Sequence, residues 1–198
     1  MLGGGTFTAQ NKILPGSYIN FVSLNKANAS LSDRGIVTMP LVLDWGVSDQ
    51  VIEITNADFQ KNALKLFGYD YSHEKMKGLR DLFLNAQKLY AYRLNGSGEK
   101  ATCAYATAKY AGTRGNDLKI TIQKNVDDNS KFDVKPILGT TIVDEQTVKK
   151  ASELISNDFV DYKTNGTLAV TASTPLAGGT NSEVNGTSYS KYLDKIES

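Results

Sequence analysis

Arg34-Gly-Ile-Val-Thr-Met-Pro-Leu-Val-Leu-Asp-Trp-Gly46 is the stretch on which the fold reading turns. The run from Ile36 to Leu43 is apolar and β-prone, which suits a buried strand. Pro40 removes one backbone donor from it, so an edge position or a bulge is expected there. Trp45 closes the run and reads as a packing anchor rather than a ligand platform. Val51-Ile-Glu-Ile54 reads as a second short strand.

Two helices are expected next. In the first, Asn56 is the candidate cap and Asp58 sits in the electropositive first turn. Phe59, Ala63, Leu66 and Phe67 share one face, and Gly68 offers a C-terminal stop. In the second, Ser72 is the candidate cap, and Met76, Leu79, Phe83 and Ala86 form one stripe. Lys88 to Leu94 then reads as a tyrosine-rich strand.

At Asn95-Gly-Ser-Gly-Glu99 the pattern changes. Strands are expected at 101–110, 118–123, 132–138, 159–163 and 168–172. Asn165-Gly166 lies between the last two and is a two-residue hairpin signal. One helix is expected, Asp144 to Ile155, with Asp144 as cap and Val148, Ala151 and Ile155 as its buried face. A β-sandwich of about 80 residues with one helix fits this segment. Leu176-Ala-Gly-Gly-Thr-Asn-Ser182 reads as a flexible boundary. Beyond it, Tyr189, Leu193 and Ile196 begin an amphipathic helix that needs a partner. The ending at Ser198 reads as a truncation.

Upstream, residues 1–15 are polar, Gly-rich and aperiodic, and read as an extended arm. Tyr18, Ile19, Phe21 and Val22 follow in a short strand candidate.

The 198 residues carry 22 Lys and Arg against 21 Asp and Glu, a net charge of +1, with one Cys and one His. Balanced charge argues against a nucleic-acid-binding domain. Lone Cys103 and lone His73 exclude a cysteine-cluster zinc site, an intrachain disulfide and an HExxH pair. No signal sequence and no membrane-length apolar run is visible, so cytosolic synthesis is expected. Sequons at Asn28, Asn95, Asn165 and Asn185 read as chance in a chain rich in these residues. Ala111 to Asp117 carries the glycines of an anion nest but neither phosphate-loop order, and reads as a tight turn. Asp127-Asp128 reads as a solvated turn. Cys103 reads as a small buried thiol in a strand and His73 as an exposed helix-start residue. No catalytic set, metal site or cofactor site emerges, and the chain reads as an α+β structural or interaction protein rather than an enzyme.

Met1-Leu-Gly-Gly-Gly-Thr-Phe-Thr-Ala-Gln-Asn-Lys12, followed by Pro15 to Phe21, resembles the start of contractile tail sheath proteins of phages, prophages and phage-tail-like bacteriocins of Gram-positive bacteria. Arg34 to Gly46 resembles that family's first core strand. Ala108 to Ile120 resembles the way into its inserted β-sandwich, and Leu176 to Asn181 the way out. The resemblance implies an α+β chain with a small α/β N-terminal module, an inserted β-sandwich-like domain and the truncated start of a third α/β domain. It divides the chain into an arm (1–24), an α/β module (25–97), the sandwich (98–180) and the beginning of a sheath core (181–198). It implies a subunit that polymerises around a tail tube and contracts without nucleotide. Other sheath subunits, the tail tube and the baseplate are the implied partners, with no nucleic acid and no membrane insertion. Tyr18, Ile19, Phe21 and Val22 become anchors that add a strand to a neighbour. The implied location is a virion or phage-tail-like particle assembled in the bacterial cytoplasm, and the isolated chain is expected to be monomeric. The alternative is a β-sandwich that binds a surface carbohydrate, with Tyr105, Tyr110 and Tyr162 as stacking faces.

Overall fold

The computed structural model describes residues 35–197; the expected arm and the strand around Tyr18 to Val22 lie outside them. Strand β1 (Gly35–Leu41) and strand β2 (Val51–Thr55) flank strand β3 (Ala86–Arg93), giving the order β1-β3-β2. β1 runs parallel to β3 and β2 antiparallel to it. Among the described residues Pro40 therefore sits on an edge strand, which suits its missing donor. The irregularity of β1 lies between Gly35 and Ile36 instead of at the proline.

Helices α1 (Asn56–Phe67) and α2 (Lys77–Phe83) cover one face of this sheet. Phe59, Ala63, Phe67, Leu79 and Phe83 meet Ile54, Leu89 and Ala91 in one core. The α1 cap falls one residue earlier than expected. Thr55 Oγ1 accepts from the Asp58 N–H at 3.1 Å, and Asp58 Oδ2 accepts from the Thr55 N–H at 3.3 Å, a reciprocal box. The helix stops at Gly68, whose φ of 75° suits a residue without Cβ. Ser72 is not the second cap. His73 Nδ1 accepts from the Lys75 N–H and starts a 3-10 turn, Glu74–Met76, that leads into α2. Ala86 is buried on β3 rather than on the helix.

The other face of the sheet carries α3 (Gly186–Glu197), whose Tyr192 packs on Tyr92 and Leu94. Its hydroxyl lies 3.0 Å from Thr38 Oγ1. Tyr189, Leu193 and Ile196, the apolar face expected to need a partner, are exposed among the described residues.

Between these parts lies a β-sandwich-like domain. Strands β5 (Leu118–Lys124) and β6 (Phe132–Leu138) form its spine, joined by β10 (Thr171–Pro175) beside β5 and by β7 (Thr141–Ile142) and β8 (Gln146–Val148) beside β6. A two-stranded sheet, β4 (Ala106–Ala108) with β9 (Val160–Tyr162), packs across it. Leu118, Ile120 and Ile122 alternate inward and meet Val134, Leu138, Val160 and Leu176. This is the α+β architecture with a β-sandwich domain that the sequence predicts.

Four local expectations are corrected. Asp144 to Ile155 is not a helix: Val148 enters the core from strand β8, paired to Phe132. Asp144 accepts instead from the Gln146 and Asn157 side chains, and Ile155 is 74% exposed. The open edge of β6 supplies backbone partners that outweigh a coincidental helical spacing of apolar residues. Residues 101–110 do not run as one strand. The Cys103 N–H donates to Ala106 O, the chain reverses, and only Ala106–Ala108 forms a strand, with Thr102 held by single bridges to Thr107 and Ala177; Cys103 is partly buried. Asn165-Gly166 does not close a hairpin. Gly166 lacks the positive φ of such a turn, and β9 and β10 pair with different strands. Leu176 to Ser182 is not a loose boundary, because Ala177 and Thr180 bond to Thr102 and Glu99 in the incoming segment.

Candidate functional site

The residues with the densest chemistry lie where the three-stranded sheet meets the sandwich. Asp44 follows β1. Its Oδ2 accepts from Tyr69 Oη at 2.9 Å and from Lys75 Nζ, and its Oδ1 from Asn181 Nδ2 at 3.0 Å and Thr113 Oγ1 at 3.3 Å. Burial by itself would raise this carboxyl. The hydrogen bonds from Lys75, Tyr69 and Asn181 outweigh it and hold the group at about 2. The same contacts, Asp44 first and Tyr69 second, push Lys75 up to about 12.

Arg93 ends β3 and is 3% exposed. It donates to Gly46 O at 2.9 Å, Ala111 O at 2.7 Å, and the side-chain oxygens of Asn95 and Asn181, each at 3.2 Å. Burial lowers it to about 10, opposed by the charge of Asp44, so it stays cationic at neutral pH. Asn95 Oδ1 also accepts from the Leu43 N–H at 3.0 Å. Five segments of the chain, near residues 44, 69, 93, 112 and 181, are thus tied through two ionic side chains.

Apolar packing reinforces the joint. Trp45 is fully buried, edge-on to Tyr110 at 5.3 Å and stacked near Phe159 at 6.3 Å. Its Nε1 donates to Lys65 O on α1 at 3.1 Å. Arg114 donates from Nε to Gly68 O at 2.8 Å, and its guanidinium lies 4.5 Å from the Tyr69 ring centre. Gly112 has φ 138°, and a Cβ there would stand 2.1 Å from Asp44 O. The turn from Ala111 to Asp117 therefore receives the protein's own carbonyls and rings, as the tight-turn reading implies. Asp44, Arg93 and Arg114 are each committed to a bond across the joint, so the arrangement fastens two cores together. Among the described residues no group of three or more His, Cys, Asp or Glu side chains could hold a metal, and no helix is long and apolar enough to cross a membrane.

Other candidates lie apart. His73 is exposed beside Tyr69, with ring centres 4.6 Å apart. Asp128 closes a surface turn through Ser130. Tyr162 is buried, Tyr110 is packed on Trp45 and Tyr105 is partly buried, so the three present no common stacking face. On the sheet face beside α3, Ile36, Thr38, Val51, Tyr90, Lys195 and Ile196 line a cleft of about 420 Å3. Among the described residues no strand pairs with the outer edge of β1 or of β2. Sequence reasoning did not single out Asp44, Arg93 or Asn181. The available signal was Arg93 itself, a charge directly after the buried alternation of β3.

The comparisons with known proteins divide the chain at this joint. Residues 34–94 match a family model described as the tail sheath protein Gp18 domain III N-terminal region, and residues 96–181 match the phage tail sheath protein beta-sandwich domain. The phage-like element PBSX protein XkdK of Bacillus subtilis (strain 168) is 36% identical over 182 residues, covering 89% of this chain and 38% of that protein. The uncharacterized protein YqbK of the same bacterium is 35% identical over 190 residues, covering 93% and 40%. A crystal structure of a sheath tail protein from Desulfitobacterium hafniense superposes with a TM-score of 0.76 at 37% identity, covering 92% of this chain and 43% of that one. One from Listeria innocua gives 0.72 at 36% identity, covering 83% and 38%. The chain therefore spans about two fifths of the length of these relatives. Two sheath domains in order, fastened through Asp44, Arg93 and Asn181, with solved sheath structures alike in sequence and in shape, place the chain in the phage tail sheath protein family.

Proposed function

We propose that the chain serves as part of a contractile sheath subunit that polymerises with other subunits around a tail tube above a baseplate and drives the tube through a bacterial envelope. The observation that carries this is the joint. A subunit that is pulled by its neighbours transmits force only if its domains do not swing independently, and a buried arginine holding four acceptors opposes swinging. No nucleotide and no catalytic group enters the reading: the energy of contraction is stored in the assembly, and the chain acts as a structural protein. The divisions at 24/25, 97/98 and 180/181 are the domain limits of this proposal, and assembly in the bacterial cytoplasm belongs to it.

Tyr18, Ile19, Phe21 and Val22 are proposed as the anchors of a strand donated to a neighbouring subunit. Among the described residues no strand pairs with the outer edge of β1 or β2, which supports this reading, since a sheet edge is the acceptor such a strand requires. Antibody raised against residues 98–180 and applied to tail particles of the source bacterium is expected to decorate the tail at regular intervals in electron micrographs. Bare tails beside labelled cell debris would refute the sheath role. The isolated chain is expected to scatter light as a monomer, and a stable ring would count against strand donation as the source of assembly.

A further inference from the structure

Three Asn-Gly pairs occur, at Asn95-Gly96, Asn165-Gly166 and Asn185-Gly186. This dipeptide cyclises most readily, because glycine places no side chain in the way of its own nitrogen. The fold treats the three pairs differently. Asn95 is 2% exposed, and its Oδ1 is held by the Leu43 N–H and Arg93 Nε. Asn185 caps α3, with Oδ1 accepting from the Ser188 N–H at 3.2 Å. Asn165 is exposed in the turn after β9. Among the described residues no hydrogen bond restrains its side chain.

We propose that Asn165 is a self-modification site, converting spontaneously to aspartate and isoaspartate with water as the only co-reactant. The deprotonated Gly166 nitrogen attacks Asn165 Cγ. The N–Cγ bond forms, the Cγ–Nδ2 bond breaks, and ammonia leaves with a proton taken from solvent. Water then opens the five-membered imide at one of its two carbonyls. Attack at one restores the normal backbone as aspartate; attack at the other lengthens the main chain by one methylene as isoaspartate. No electron changes hands. Either product removes one unit of positive balance, taking the net charge from +1 to 0 (+1 − 1). The new carboxylate stands in a cleft of about 400 Å3 that Lys149 and Lys150 also line.

The test is to age the folded chain in mildly alkaline buffer and map its peptides by mass spectrometry, alongside the chain held in urea. In the folded chain Asn165 is expected to convert at least about tenfold faster than Asn95 or Asn185, because the held pairs react only after local opening. In urea all three are expected to convert at similar rates. Raising the pH accelerates the folded reaction at Asn165, and Gly166→Ala slows it by about tenfold by restoring a side chain beside the nitrogen. Conversion of Asn95 or Asn185 as fast as Asn165 in the folded chain overturns the proposal. So does an intact Asn165 in folded chain when the urea sample has converted.

Discussion

At the scale of single residues, Arg93 and Asp44 are the most consequential side chains. Truncating Arg93 to Ala strands the carbonyls of Gly46 and Ala111 and takes one of two donors from each of the Asn95 and Asn181 side-chain oxygens. A loss of about 3 kcal/mol in urea unfolding is expected. Arg93→Lys keeps the charge but not the planar fork, and should recover only part of that loss. Asp44 gives a pH signature. Its folded value of about 2 lies below the ordinary 3.8, so its contribution is complete above about pH 4 and disappears as pH falls through 2. Asp44→Asn should therefore be less stable than the parent at neutral pH, with the difference shrinking in acid. A constant difference across that range would show that the carboxylate charge contributes nothing. Apart from the charge of Arg93 itself, none of this was visible in the sequence. Arg93 and Asp44 are 49 positions apart (93 − 44) and Asn181 is farther still, so only the folded chain brings both to the Asn181 side chain that links them.

The elements show what periodicity can and cannot decide. The α1 stripe, the β5 and β6 alternations and the Gly68 stop are legible because local pattern and tertiary burial agree. The stretch after Asp144 fails because the deciding partner, the edge of β6, is remote in sequence. Substitutions separate the two readings. In the observed structure Ile155→Lys should leave stability within about 0.5 kcal/mol, since Ile155 is 74% exposed. Val148→Asp should cost several times more by placing a charge against the core, whereas a helix buried along Val148, Ala151 and Ile155 would make both severe. Thr55→Ala removes half of the α1 capping box and is expected to cost about 1 kcal/mol by thermal melting. Asn56→Ala, at the position first expected to cap, should cost less.

At the scale of the whole molecule, two hydrophobic cores meet at one joint. The core around Phe59 and Leu89 and the core around Ile120 and Val134 are expected to unfold together. Hydrogen exchange read separately for β3 and for β5 should report one common opening free energy. In Arg93→Ala the two should separate. A parent chain whose cores already open independently would deny the joint its mechanical role. Trp45 gives this architecture an optical consequence. It is the only tryptophan in the chain, and it sits between Tyr110 and Phe159 while bonded to Lys65 O on α1. Excitation beyond the tyrosine band therefore lights a single indole, and that indole stands where the two domains touch. In this chain its emission reports whether the joint is closed or open, without any attached dye.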